Sequence, residues 1–438
     1  MKHDVLVICL ALVLAACQPI PVSQATSTAM PLTPTNTPTP TFTLIPPTST
    51  STPSPSPEPT LSPDINEKNE FLVYVARIWD PMMSSKPQLT LYDPANNKTQ
   101  ILSTNVSHNN FSISKNNRLA FEKDENIYVW DYPFKENTPT KITFDGSPAT
   151  QMNVLSWSLD GRYLPFTKVQ GDSKKLFLWD GKNILDLYSY QGVISSHGTS
   201  WTNYDGTAWS NNGKLAFTED FIDNRGYASF LGKIFVWDGK DVVNVSQNPS
   251  GFPAWSKDGQ LAFLSSQNGE YTISVWDGKS KNNGAPDVKT IADPDLEFFN
   301  LSQPTWTNSG SIVFMGRGKT GGKSQIYEWD GQTIKNISQT PSIDFYALAW
   351  RIDGYWSSLV NLGSTVIVRD NANQTVLETR GDDSEWTQSG LLVFCNSSET
   401  KWTLSIWNGK NIVDVAQGDD VYAKWTNSNG KSIECTYG

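Results

Sequence analysis

Histidine is nearly absent from this chain of 438 residues. Of the three, His3 lies in the leader, which leaves His108 and His197, so neither a histidine-rich metal site nor a Ser-His-Asp triad is well supplied. Cysteine is almost as scarce, at four. Positive charge is in deficit, with 34 Lys and Arg against 44 Asp and Glu, a net charge of −10 and no basic block. A phosphate backbone finds no electrostatic footing there, and nucleic acid is not an expected partner. No run of apolar residues is long enough to span a bilayer. No nucleophile-elbow pattern occurs. The stretch GRGKTGGKSQIYEW from Gly316 fails as a phosphate loop, because Arg317 stands where a glycine is required and a strand follows where a helix should. A mobile hairpin loop is the plainer reading. The sequence therefore predicts no cofactor, no catalytic residue and no enzyme.

What is present begins with an address. One lysine, an apolar run from Val5 to Ala16 and small residues before Cys17 have the layout of a secretory leader. Leu14-Ala15-Ala16-Cys17 resembles the bacterial lipobox, which implies cleavage after residue 16 and a lipid on the Cys17 thiol. Residues 17–65 then collapse to Thr, Pro and Ser. Such a tract cannot bury apolar surface and tends to extended polyproline conformations. At about 3.1 Å per residue it reads as a stalk that can exceed roughly 100 Å in contour. The expected location is extracytoplasmic, anchored to a bacterial membrane whose identity the sequence leaves open.

From residue 66 to 438 two columns recur. One is an opening hairpin: Trp130-Asp131, Trp179-Asp180-Gly181, Trp237-Asp238-Gly239, Trp276-Asp277-Gly278, Trp329-Asp330-Gly331 and Trp407-Asn408-Gly409. Asp-Gly or Asn-Gly between β-rich runs predicts a two-residue turn with both central residues at positive φ. The other is a Trp, a polar turn and an apolar strand, beginning at Trp157, Trp209, Trp255, Trp306, Trp350, Trp386 and Trp425. The spacing suits four short antiparallel strands per unit, and sheets apolar on both faces are buried when arranged radially. The predicted fold is an all-β propeller. With degenerate copies at Tyr92-Asp93-Pro94 and Arg369-Asp370-Asn371, the hairpin count gives eight blades, the carboxyl-terminal segment completing the first. If both ends supply the same second strand, one copy stays outside the sheet, which leaves seven or eight open.

The pairing of WSxDGxLAF with IxVWDG resembles the TolB-type, WD-repeat-like propellers of bacterial envelopes over about Phe71 to Gly438. The resemblance implies a non-catalytic scaffold that binds another envelope protein. Here the turn lacks the Pro usual in that family, and the stalk takes the place of TolB's preceding domain. Recurrence at one register argues that the column Trp pack blades, since burying a Trp removes on the order of 200 Å² from water.

Cys395 and Cys435 fall near the same strand position in adjoining units, in a compartment where disulfides persist. A bond there would staple the ring. Against it, packed sheets lie about 10 Å apart and disulfide Cα atoms within about 7 Å. Asp382, Asp383, Asp419 and Asp420 sit in matching loops before inner strands, either as an oxygen-rich Ca²⁺ site or as solvated turns.

The long loops should emerge on the face opposite the Asp-Gly turns. They carry His197, Trp201, Tyr204, Arg225, Tyr227 and Phe230 in the middle of the chain, then Phe298, Phe299, Arg317, Phe345 and Tyr346, with Lys319 and Lys323 beside them. Aromatics and Arg on loops held by a rigid scaffold are what binding surfaces use. A glycan or small solute in the central channel is the second reading, and a propeller hydrolase or dehydrogenase the third. A monomer is expected.

Overall fold

In the computed structural model, residues 70–77 and 87–436 are described, except 108, 148, 172, 191–206, 223–227, 283–284, 299–302, 352, 362, 399–400 and 427–430. Side chains within 220–230 and 280–285 are not described. The leader, Cys17, the stalk and His108 lie outside these residues, and so do the loop residues His197, Trp201, Tyr204, Arg225, Tyr227 and Phe299 and the side chain of Phe230.

The described secondary structure is all strand, and the strands pair antiparallel in sets of four. Blade 2 is Phe111–Ile113, Leu119–Lys123, Asn126–Trp130 and Thr140–Lys141, and blade 3 is Thr150–Val154, Leu164–Gln170, Ser173–Trp179 and Ile184–Ser189. Blades 4 to 8 repeat the order, ending with Asp383–Trp386, Leu392–Ser397, Trp402–Trp407 and Ile412–Gly418. Blades 4 and 5 share a further bridge, Gly232 to Ser250. Apolar cores lie between successive blades, and the last joins blade 8 to blade 1 through Leu404, Ile406, Val421, Trp425 and Leu72. The propeller has eight blades.

Blade 1 draws on both ends of the chain. Asp420–Trp425 forms its inner strand and pairs over six residues with Leu72–Arg77, which Gln88–Asp93 and Lys98–Thr104 follow outward. The second-strand copy from the amino end takes the place in the blade. Its carboxyl-terminal rival, Ile433–Cys435, pairs instead with the other edge of the inner strand, on the axial side.

The columns are structural. Trp157, Trp209, Trp255 and Trp306 each donate their indole N–H to a carbonyl on the preceding blade: Ser112, Ser156, Ala208 and Ala254, at 2.8 to 3.2 Å. Each tether satisfies a donor that packing would otherwise strand. Within a blade the two columns meet, with ring centroids 6.1 Å apart for Trp157 and Trp179 and 6.3 Å for Trp209 and Trp237. Arg118 of blade 2 lies 5.1 Å from both rings of the Trp157–Trp179 pair. Of the Trp outside the columns, Trp356 and Trp402 are buried in cores.

The hairpins open one residue later than the sequence suggests. Asp180 N–H donates to the Asn183 carbonyl at 3.1 Å, so the two central residues are Gly181 and Lys182. Only the glycine has positive φ, +96°, as in a II′ turn that Gly leads. The Asp180 carboxylate accepts the Lys182 and Asn183 N–H groups at 2.8 and 2.6 Å and so caps the turn from outside. Asp238 and Asp330 do the same.

Candidate functional site

Alternating strand direction places the Gly-led turns on one face and the second-to-third-strand and blade-to-blade connections, the longest among them, on the other. The chain enters on the turn face, where the Glu70 carboxylate accepts the Gln388 and Ser389 N–H groups of a blade 8 turn at 3.1 and 3.3 Å.

The loop face separates the predicted residues. Phe298 is 3% exposed and packs in the core between blades 5 and 6, its ring 5.1 Å from Phe314. Phe345 is 1% exposed between blades 6 and 7, 5.6 Å from Trp356 and beneath the Arg369 guanidinium. These two belong to the packing, and the expectation that they present a surface is corrected: each anchors its loop against a neighbouring blade. Tyr346 turns outward, 44% exposed. Arg317 pairs with Glu297 at 2.7 Å, Lys319 with Glu270 at 3.2 Å and Lys323 with Asp344 at 3.4 Å, forming a charged crest across blades 5 and 6.

Phe144 is missing from the sequence-predicted set and is the most exposed large apolar residue described, at 80%. Its loop joins blades 2 and 3 and is held on both sides. Thr143 is buried and its hydroxyl accepts the Ile127 N–H at 2.9 Å; Asp145 pairs with Lys168; Gly146 N–H donates to the Asn126 side chain at 3.3 Å. Lys141 stands 5.6 Å from the ring. In the sequence, KITFDG reads as an outer strand running into a turn, with nothing to say that the Phe faces water. A Cβ at Gly146 would overlap the Glu125 carbonyl. Gly146→Ala is therefore expected to displace this loop at a cost of about 1–3 kcal/mol, seen as a lowered denaturation midpoint and faster amide exchange confined to residues 142–147.

A second polar group lies at the seam between blades 8 and 1. The four aspartates do not converge on a cation there. Asp420 is ion-paired with Arg77, and the Asp383 carboxylate accepts the Ser384 N–H at 2.8 Å. Asp382 and Asp419 each donate their N–H to a carbonyl, of Cys395 at 3.1 Å and of Arg77 at 2.7 Å. Among the described residues no three His, Cys, Asp or Glu are placed to hold a metal ion, so the Ca²⁺ alternative finds no cluster: Arg77 takes the Asp420 carboxyl, the Ser384 N–H donates to that of Asp383, and the Ser397 side chain bonds that of Asp382. Burial raises the Asp383 carboxyl to about 7, with Glu385 adding repulsion, and raises Glu434 to about 7 against the pull of Lys424. Burial also lifts Glu385, partly offset by its ion pair with Lys431.

Cys395 and Cys435 are joined by a disulfide, with Cα atoms 5.4 Å apart. The sheet spacing weighed against this bond holds for mid-blade strands. Ile433–Cys435 lies at the axial edge, where radiating sheets converge, and that brings the two Cα atoms within reach.

No protein-family model matches the chain, and no curated protein matches it. Solved structures do. Dipeptidyl peptidase 4 of Porphyromonas gingivalis is similar at 15% identity and a TM-score of 0.50, over 76% of this chain and 55% of that one. The β-propeller domain of the Trilobed protease from Pyrococcus furiosus gives 12% identity and 0.46, over 79% of this chain and 94% of that one. TolB from Acinetobacter baumannii gives 13% and 0.36, over 84% and 67%. This chain spans just over half of the first peptidase's length. At such identities the likeness is one of fold.

Proposed function

We propose that this chain is an extracytoplasmic, membrane-anchored lipoprotein whose propeller serves as a non-catalytic scaffold for another envelope protein, held on the loop face. The leader, Cys17 and the Thr/Pro/Ser stalk supply the address and the tether. The observation that carries the binding reading is Phe144, a large apolar side chain kept in water by a loop fixed on both sides. A residue free to fold back would bury its ring. One held out offers a pre-organised anchor that loses little freedom when a partner covers it. Tyr346 adds a second aromatic, and the Arg317, Lys319 and Lys323 ion pairs add polar contacts that contribute little stability of their own at this exposure.

The test captures envelope proteins with the purified chain, beside Phe144→Ser/Tyr346→Ser and a turn-face control, Lys182→Glu/Lys240→Glu. A protein retained by the native chain and the control but released at least tenfold more readily by the double variant is the expected result. Retention by all three places binding elsewhere. Retention of nothing, with the chain folded, removes the scaffold reading and turns the search to glycans.

A further inference from the structure

The hairpin Trp of blades 3, 4, 5 and 8 are enclosed. Trp179, Trp237, Trp276 and Trp407 are 5 to 7% exposed, and each packs on the first-column Trp of its own blade with ring centroids 6.1 to 6.3 Å apart. The preceding blade covers three of them: Arg118 lies 5.1 Å from the Trp179 ring, Tyr163 5.4 Å from Trp237 and Lys214 5.5 Å from Trp276. All three covering residues stand just before the second strand of their blade. In blade 5 that place holds Gln260, which brings neither a ring nor a cation. The next hairpin Trp, Trp329 of blade 6, is only partly buried. Among the described residues it makes no ring contact with Trp306. The column thus repeats in the sequence, but its enclosure lapses at Trp329.

A cleft of 280 Å³ opens beside it, between the end of blade 5's outer strand and the hairpin of blade 6. Trp329 and Ile334 line it with apolar surface; Lys289, Thr290, Asp293 and Gln332 line it with polar groups. The volume lies at the lower edge of small-molecule sites, which suits a ligand of one ring. Lys289 stands over the indole at 4.7 Å and donates to the Gly331 carbonyl at 3.3 Å. Its ammonium is a donor, the Asp293 carboxylate an acceptor, and the Thr290 hydroxyl and Gln332 amide are both. One ammonium is matched by one carboxylate, so the lining carries no net charge.

We propose that this cleft binds one neutral sugar residue, stacked on the Trp329 indole. A sugar ring carries C–H groups on a face, which pack on an aromatic ring, and hydroxyls around its rim, each of which both donates and accepts. The cleft offers the same combination, an aromatic surface among donors and acceptors. A flat aromatic ligand or an apolar peptide side chain would use the indole but leave the polar groups without partners, at a cost. A charged ligand would meet one opposite and one like charge together. Lys289 is exposed and held by a single long hydrogen bond, so it yields to the ligand and can donate to a hydroxyl in exchange. The cleft lies toward the Gly-led turns, away from the loop face, and the inference does not rest on the scaffold reading.

Saturation-transfer NMR of the full chain tests it, with the methyl glycosides of glucose, galactose, mannose and N-acetylglucosamine as neutral probes and methyl glucuronide as the charged one. At least one neutral glycoside is expected to bind with a Kd of about 1 mM, the strongest transfer falling on the C–H groups of one ring face. Trp329→Ala should weaken that binding about tenfold and Gln332→Ala about threefold, with Lys182→Ala, in the matching turn of blade 3, unchanged. Should Trp329→Ala not fold, Gln332→Ala decides alone, since it trims an exposed turn side chain. No transfer to any neutral glycoside, binding of the glucuronide alone, or undiminished binding in either folded variant would overturn the assignment.

Discussion

Replacing Cys395 and Cys435 together by alanine is expected to lower the free energy of unfolding by about 4 kcal/mol. The bond closes a loop of sequence separation 40, and restoring that loop's freedom to the unfolded chain gives this figure. In a domain of roughly 370 residues it corresponds to about 5 °C in Tm. Both cysteines are fully buried, so the native bond should also resist a phosphine reductant until the seam opens. Urea denaturation of oxidised protein against the double variant measures the difference. A loss below about 1 kcal/mol would mean that the unfolded chain already keeps these segments together.

Trp209→Ala should cost about as much, in the range of 3–5 kcal/mol, with no bond broken. Trp209 is 1% exposed, tied to Ser156 of blade 3 at 2.8 Å and packed against Tyr163 and Trp237 at 6.2 and 6.3 Å. Trp209→Phe keeps much of the apolar contact but loses the hydrogen bond to the Ser156 carbonyl, for a smaller loss of about 1–3 kcal/mol. Lys240→Ala, on the turn face, should stay within about 0.5 kcal/mol. Denaturation midpoints with near-ultraviolet dichroism separate the three. Were Trp209→Ala as mild as Lys240→Ala, the first column would have to be read as a surface rather than a joint.

The contrast shows what the sequence could convey. A Trp repeated at one register signals a packing role that recurs from blade to blade; Trp157, Trp209, Trp255 and Trp306 add the indole tether, whereas the buried indoles of Trp350 and Trp386 pack without one. The two ends of blade 1 were legible for the same reason: a Trp strand without a hairpin and a hairpin without a Trp strand complement each other. Features made once leave no period to detect. Phe345 and Tyr346 are adjacent and alike in chemistry, yet one is buried and the other outward, a choice made by the loop's path over Trp356. Phe144 hides inside a strand-like pattern. Asp383 and Glu434 belong to strands that each look ordinary until closure brings the Glu434 N–H onto the Asp383 carboxylate. The hairpin centre was misplaced by one because Asp-Gly fits either position, and only the Asp180–Asn183 hydrogen bond decides.

Blade 1 also imposes an order on the chain's making. Arg77 and Asp420 meet across 343 positions, so the first of the described strands waits for nearly the last of them before its edge is covered. Pairing over such a separation is slow to form, and an uncovered strand edge in the interval invites association with other chains. A chain that lacks Asp420–Trp425 leaves the inner edge of Leu72–Arg77 without the strand that covers it here. Closure thus reports that one particular strand, Asp420–Trp425, has been made.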